Sequence, residues 1–120
     1  MPFPVSEALI AEAENNLGRR LPRTFRARLL HNNGGEVSSD DDDWTLHPVW
    51  DPTDRRTIAR TSSHIVIEAV EARAWPGFPS DGTPLAINDE GDRIIVRGTS
   101  DDLEFWDHET GLVRPTHIDW

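Results

Sequence analysis

The chain contains no cysteine, no tyrosine and no lysine, so the twelve basic residues among its 120 residues are all arginine. The lack of cysteine excludes a disulfide framework, a thiolate nucleophile and a cysteine-ligated zinc site. No apolar run approaches the roughly 18 residues that a membrane-spanning helix needs. The N-terminal residues lack a cationic stretch followed by an apolar block. We therefore expect no signal peptide, no membrane partner and a cytoplasmic protein.

Positive charge is scarce and unevenly distributed. Twenty-two acidic residues against twelve arginines give a formal net charge of −10. Residues 36–54 and 76–120 each carry a net charge of −7, whereas residues 1–35 and 55–75 each carry +2. Because nucleic-acid binding depends on clustered cations, we expect no nucleic-acid partner. An acidic chain instead attracts a basic partner, and electrostatic steering accelerates their association.

The length predicts one domain over residues 1–120, and the apolar content of 36% suffices for one modest core. Ser6 is a suitable N-cap for a first helix, and Gly18 is a suitable residue to end it. Between them, apolar residues recur at every fourth position: Leu9, Ala13 and Leu17. Pro22 predicts the first turn of a second helix, which residues 32–35 end.

The rest of the chain predicts one more helix and several strands. Ser38 to Asp43 is predicted to be a polar, acidic loop. A strand-like run follows, with apolar residues at Trp44, Leu46 and Trp50. Pro48 lacks a backbone donor, so this strand is either interrupted or lies at a sheet edge. A third helix is predicted over Ser63 to Trp75. Two hairpins complete the chain, with strands at 85–87, 94–96, 103–106 and 112–114 and turns at 88–92 and 107–111. This order predicts an α+β fold, with N-terminal helices packed on a mainly antiparallel sheet.

Two acidic segments invite a metal-site interpretation. The run from Asp40 to Asp43 has three open interpretations: a cation site, a surface for a basic partner, or a solvated loop. Calcium loops place their ligands at alternate positions, which argues against a metal here. Within residues 107–109, neighbouring side chains of a strand point to opposite faces, so His108 fits a turn residue better than a metal ligand. We predict no metal and no cofactor.

The chain has no Gly-x-Ser-x-Gly elbow and no phosphate-binding glycine pattern. We therefore predict no catalytic residue and no enzyme. A small hydrolase with an unmarked carboxylate pair or serine–histidine site stays open as an alternative, because such sites are defined by geometry. A deep pocket holding a strongly perturbed titrating pair would favour it.

The five tryptophans divide by their neighbours. Trp75 and Trp106 stand among core-like residues, and we expect both to be buried. Trp44 and Trp50 flank the acidic run, where they serve either the core or a binding surface. Trp120 is the last residue, and it either docks on the domain or makes a partner contact.

An ordered set of short motifs resembles the SUKH superfamily, which includes bacterial immunity proteins and fungal cell-wall-synthesis regulators. The motifs span nearly the whole chain: Leu17-Gly18, Leu21-Pro22, 25–30, Asn33-Gly34-Gly35, 44–49, 84–87, Gly91-Asp92, 94–96 and 103–109. The resemblance implies an α+β fold and a non-catalytic role, in which bacterial members neutralise a toxin domain, often a nuclease. It says least about Asp40 to Asp43 and about the region from Asp51 to Ser63.

We therefore expect an immunity protein that binds a cognate, basic protein toxin and occludes it stoichiometrically. The candidate contact residues combine the acidic run with nearby aromatic and acidic side chains: Asp40, Asp41, Asp42, Asp43, Trp44, Trp50, Asp51, Asp107 and Glu109. The first alternative is a regulatory or adaptor module of the same superfamily. A neighbouring toxin gene would favour immunity, and an isolated gene would favour the adaptor.

Overall fold

The computed structural model describes residues 3–120. Met1 and Pro2, which begin the stretch behind the signal-peptide prediction, lie outside the described residues. In chain order the elements are α1 (Glu7–Leu17), α2 (Arg23–His31), β1 (Glu36–Ser39), β2 (Asp42–Leu46), α3 (Arg55–Arg60), α4 (Ile65–Arg73), β3 (Gly82–Ile87), β4 (Arg93–Arg97), β5 (Glu104–Trp106) and β6 (Val113–Pro115). The α+β class is confirmed. No helix within residues 3–120 is both long and apolar enough to cross a membrane.

The six strands form one antiparallel meander in the order β1-β2-β3-β4-β5-β6. The segment after β6 returns to the free edge of β1, where the Asp119 amide donates to the Ser38 carbonyl at 2.8 Å, so the sheet is curled. In such a meander, alternate connections fall at the same end of the sheet. The β1–β2, β3–β4 and β5–β6 turns therefore share one end, and the β2–β3 and β4–β5 connections share the other.

Local signals explain most of the helix ends. The Ser6 side chain accepts a hydrogen bond from the Leu9 amide at 3.3 Å, and Gly18 ends α1 with φ 77°. Both predictions for α1 are confirmed. Helix α4 begins at Ile65 behind the N-cap His64, close to its predicted start. Helix α3 was not predicted, although Asp54 and Thr57 form a reciprocal capping box at its start.

The core lies between the helices and the sheet, and it includes both faces of β4. Ile94, Ile95 and Val96 are all fully buried, although successive strand residues point to opposite faces. Ile94 and Val96 belong to the main cluster with α1, α2 and β1–β3. Ile95 packs in a smaller cluster with Ala72 and Trp106. The predicted burial of Trp106 is confirmed, because this side chain is 1% exposed.

The acidic loop predicted over Ser38 to Asp43 is wrong, because this segment is a hairpin of β1 and β2. Its turn residues Asp40 and Asp41 take φ values of 49° and 63°. Asp is one of the few residues besides glycine that is enriched at positive φ, which suits this turn, but it is depleted in strands, so the acidic run gave no strand signal. Strand β2 ends at Leu46, before Pro48, which confirms the interruption.

The predicted burial of Trp75 is also wrong, because this side chain is 52% exposed. The inner face of α4 is formed by Ile65, Ala69 and Ala72. Residues three or four positions apart share a helix face, so Trp75 stands one position short of the next inner site, residue 76. The chain also leaves the helix at Ala74. Trp75 consequently projects outward.

Candidate functional site: the acidic end of the sheet

Three tight turns meet at one end of the sheet, and each carries carboxylates. We call this surface the acidic end and define it by eight residues: Asp40, Asp41, Asp42, Asp43, Asp89, Glu90, Asp107 and Glu109. Six of the nine sequence-predicted contact residues belong to it. Asp89 and Glu90 were missed, because residues 88–92 were assigned to a turn and not to the contact surface. Pairing of consecutive hairpins would have placed these two acids beside the others.

Asn88 connects the turns of the acidic end. Its side-chain oxygen accepts hydrogen bonds from the amides of Glu90 and Asp92, at 3.0 and 2.9 Å. Its side-chain nitrogen donates to Asp92 and to Asp42, each at 3.2 Å. One buried amide side chain thus fixes its own turn and ties it to the start of β2.

Asp92 and His108 extend this network to the β5–β6 turn. The Asp92 carboxylate accepts from the His108 ring at 2.7 Å and from the His108 amide at 3.1 Å. The hydrogen bond to Asp92 raises the pKa of His108 above its ordinary value. Burial alone would raise the pKa of Asp92, but the hydrogen bonds from His108 and Asn88 lower it overall. The contact between Asp92 and His108 therefore ties the two turns together, and it becomes an ion pair when the His108 ring is protonated.

The β1–β2 turn is held from the other side. The Asp40 carboxylate lies 3.5 Å from the Arg114 guanidinium and 3.4 Å from the Thr116 hydroxyl. Asp41 and Asp43 are exposed. At the β5–β6 turn, Asp107 accepts from the amides of residues 109 and 110, at 2.8 and 3.2 Å. The carboxylates are therefore displayed from ordered turns.

One group of side chains at this end could hold a metal ion. Asp92, Asp107 and His108 each offer a ligand atom, and these atoms lie within 4.8 Å of one another. However, Asp92 already pairs with the His108 ring, and Asp107 accepts the two turn amides. Metal binding at this group would therefore have to replace these hydrogen bonds.

A groove of about 200 Å³ adjoins the acidic end, with the exposed Trp75 at its side. The Trp75 indole N–H lies 3.4 Å from the His108 carbonyl oxygen, and the two rings meet edge to face. The turn after Trp75 fits closely against the β5–β6 turn: a Cβ atom at Gly77 would lie 3.3 Å from the Cα of Gly111. An aromatic side chain is thus fixed beside the carboxylates.

Two sequence-predicted contact residues are buried, which is a correction. Trp44 is 2% exposed and packs edge to face on Phe105 with ring centroids 5.8 Å apart. Asp51 is buried, and its carboxylate accepts from the amide and the hydroxyl of Thr53. Trp44 is therefore part of the core, and the Asp51 carboxylate is bonded within its own turn. Trp50 is 43% exposed but lies against His64, outside the network of the acidic end.

A second polar cluster lies in a cleft of about 400 Å³ between α4 and the sheet. Burial lowers the pKa of His47 to about 3, with a further contribution from the Arg93 charge. Burial raises the pKa of Glu68, although Arg93 binds Glu68 at 3.2 Å. Arg93 also lies 3.4 Å from the His47 Nε2 atom, which must accept because the guanidinium only donates. His47 is therefore neutral at pH 7.

The opposite end of the sheet carries a groove of about 550 Å³ lined by arginines. We call it the arginine end and define it by Arg19, Arg20, Arg23 and Arg26. Arg19 donates to two carbonyl oxygens of the β4–β5 loop and to Asp101 at 2.8–3.0 Å. Arg26 pairs with Glu7 and Glu14, at 3.0 and 3.7 Å. Two of these four arginines are thus paired within the domain, whereas Arg20 and Arg23 are exposed.

Helices on a six-stranded antiparallel meander, with charge separated between the two ends of the sheet, define a small α+β domain with an acidic surface. The family model described as SMI1 / KNR4 family (SUKH-1) matches residues 4–118. The chain belongs to this family, and the sequence resemblance is confirmed. No curated protein matches the chain.

Proposed function

We propose that this chain is an immunity protein that binds a basic protein toxin through the acidic end and blocks it stoichiometrically. The observation that carries the proposal is the meeting of three ordered acidic turns at one end of the sheet. Membership of the SUKH-1 family supports it, because that family is consistent with an immunity-like role. The toxin would be recognised by a basic surface, such as one that binds a polyanionic substrate.

The geometry of the acidic end suits rapid capture of a basic surface. Fixed turns present the carboxylates in their binding positions, so little ordering entropy is lost on association. Their shared field accelerates encounter, most strongly at low ionic strength. An exposed aromatic side chain beside them, Trp75, is of the type that supplies slow dissociation.

The adaptor alternative uses the same surface with another basic protein partner. The two functions differ in the partner and not in the fold, so the gene neighbourhood and a growth assay separate them. A toxin gene beside this coding sequence and rescue of growth favour immunity. Binding to a host protein without rescue favours the adaptor.

The hydrolase alternative has one observation in its favour, the pair of His47 and Glu68 with oppositely shifted pKa values in a cleft. Two features argue against it. A histidine with a pKa of about 3 is a weak general base at neutral pH. Its Nε2 atom also faces Arg93 instead of a serine hydroxyl. These contacts indicate that the cluster connects α4 to the sheet.

The test is co-expression with the tagged product of the neighbouring gene, followed by purification and a growth assay. A stoichiometric complex with rescue of growth is the expected result. The absence of both would contradict immunity against that product.

The surface is tested by a charge-neutralised variant carrying Asp41→Asn, Asp89→Asn and Glu109→Gln, all at exposed positions. Its matched control carries Glu12→Gln, Asp81→Asn and Asp102→Asn, which remove the same charge from exposed positions elsewhere. We expect about a tenfold slower association at low salt for the first variant, converging at high salt. Equal slowing by both variants would mean that net charge, and not this surface, governs capture.

A further inference from the structure

The contact between His47 and Arg93 fixes where the His47 ring carries its proton. The His47 side chain is 3% exposed, and its Nε2 atom lies 3.4 Å from the Arg93 guanidinium. A guanidinium only donates, so Nε2 accepts, and a protonated ring would set one N–H group against another. Burial also lowers the pKa of His47 to about 3, so the ring is neutral at pH 7. The single ring proton is therefore on Nδ1.

The Nδ1–H group of His47 opens on the cleft between α4 and the sheet, which has a volume of about 400 Å³ and which His47 lines. This group has no hydrogen-bond partner within residues 3–120. Four other side-chain nitrogens of these residues lack a partner and are completely enclosed, and His47 Nδ1 is not among them. Since leaving a buried donor unbonded is costly, the partner of this N–H group must come from the cleft.

A second donor group at the same cleft has no acid to pair with. Arg60, the last residue of α3, lines the cleft, and its guanidinium carbon lies 3.7 Å from the centroid of the Phe3 ring. The arginine ion pairs within residues 3–120 all use other arginines. Stacking on an aromatic face leaves the N–H groups at the edge of the guanidinium plane available to a planar acceptor such as a carboxylate.

The acid in the wall of the cleft does not use these two donor groups. The Glu68 carboxylate is bonded to Arg93 at 3.2 Å and lies 4.0 Å from His47 Nε2, on the side of the ring away from Nδ1. Glu71 interacts with Glu68 but does not line the cleft. The cleft therefore presents unpaired donors and an already paired acid, which favours an anionic acceptor over a cation as its ligand.

Part of the cleft wall is apolar, formed by Leu46, Pro48 and Ile87. Small-molecule sites typically have volumes of about 300–1,000 Å³ and combine apolar walls with a few polar groups that orient the ligand. We propose that this cleft binds a small organic carboxylate, whose oxygens accept from His47 Nδ1–H and from the Arg60 guanidinium and whose apolar body lies against these three side chains. This site is separate from the acidic end and does not depend on the proposed function.

The first experiment uses three small probes. Benzoate is titrated into the ¹⁵N-labelled protein, and the amide shifts in NMR spectra report both its affinity and its location. Benzamide keeps the ring and the shape without the negative charge, and acetate keeps the carboxylate without the ring. We expect benzoate to shift the cleft residues and to bind about tenfold or more tightly than either control. Equal affinities, or benzoate shifts confined to the arginine end, would overturn the proposal.

A matched pair of variants tests the role of Arg60. Arg60→Gln removes a positive charge from the cleft, and Arg55→Gln removes one from an exposed position of the same helix that does not line it. We expect about a tenfold loss of benzoate affinity in the first variant and less than about a twofold loss in the second. Circular dichroism checks that both fold. Equal losses would mean that the general field of the protein, and not this cleft, attracts the anion.

The role of His47 is tested without a substitution, because its side chain is almost completely buried. Long-range ¹H–¹⁵N correlation spectra of the imidazole distinguish the two neutral ring forms. We expect the form protonated on Nδ1, with a downfield shift of that proton when benzoate binds. A ring protonated on Nε2, or ring signals that saturating benzoate leaves unchanged, would overturn the proposal. None of these assays contains a toxin, so their outcome is independent of the co-expression test of immunity.

Discussion

The two ends of the sheet use charge in opposite ways. At the arginine end, Arg19 is almost enclosed, with a side chain 5% exposed, and it donates to the β4–β5 loop and to Asp101. At the acidic end, Asp41, Asp89 and Glu90 project from turns into solvent. The bonds that hold those turns come from Asn88 and other polar groups beneath them. At the arginine end Arg19 and Arg26 thus bind groups of their own domain, whereas at the acidic end the three carboxylates just named are exposed.

This difference indicates which surface is available to a partner. A cation that already pairs within its own domain gains little from a new anion, because the new contact must replace existing bonds. Carboxylates that project into solvent, such as those of Asp41, Asp89 and Glu90, can pair with a basic partner without first breaking such bonds. This comparison favours the acidic end over the groove of about 550 Å³ at the arginine end as the surface of the proposed interface.

The largest expected effect comes from removing the support of the acidic end. Asn88→Ala leaves the amides of Glu90 and Asp92 without their acceptor and removes two donors from buried or partly buried carboxylates. We expect a loss of about 2–3 kcal/mol in the free energy of unfolding. Chemical denaturation measures it. A loss within the range of an ordinary surface substitution would show that the turns hold their positions without Asn88.

The arginine end should respond more weakly. Arg19→Ala removes the bonds to Gly98, Ser100 and Asp101 around an exposed loop, where water can replace the lost donor. We expect a loss of about 1–2 kcal/mol in the free energy of unfolding. Arg19→Lys keeps the charge but lacks the forked donors, so it should recover only part of that loss. Full recovery by lysine would mean that charge alone, and not the fork, holds the loop.

The pH response should separate the two ends as well. His108 has a raised pKa in the fold, so its stabilising contribution is complete below the unfolded value near 6.5 and is lost as pH rises through the raised value. The guanidinium groups at the arginine end keep their charge throughout this range. The difference in unfolding free energy between wild type and His108→Gln should therefore shrink from pH 6 towards alkaline pH. A difference that is constant with pH would contradict a native Asp92–His108 ion pair.

The sequence predicts α1 and the last two hairpins correctly, because the signals for these elements are local. Ser6 and Gly18 mark the ends of α1 through capping and positive φ. The turns at residues 88–92 and 107–111 join β3 to β4 and β5 to β6, as their polar composition indicates. Each of these signals acts within a few residues of its own position, so tertiary packing does not override it.

The side-chain positions that were wrongly predicted depend on tertiary structure. The acidic neighbours of Trp44 suggested a contact residue. Its burial depends on Phe105, which lies in β5, far along the chain. Trp75 lies at the surface because α4 ends just before it and because it stands one position short of the next inner site of that helix. The acidic end itself exists only after the meander has brought three separated turns together.

The smallest predicted effect tests whether an exposed charge at the acidic end lowers the free energy of unfolding. Asp41 takes φ 63° in the β1–β2 turn, where glycine is free of the strain that a side chain causes. We expect Asp41→Gly to raise the free energy of unfolding by about 0.5–1 kcal/mol and to slow capture of the basic partner at low salt, because one displayed charge is lost. Asp41→Asn removes the same charge at a residue that tolerates positive φ, so it should slow capture equally with a smaller gain in stability. A destabilised glycine variant would indicate that the Asp41 carboxylate supports the turn. Asp41 would then be a structural residue of the acidic end and not only an exposed charge.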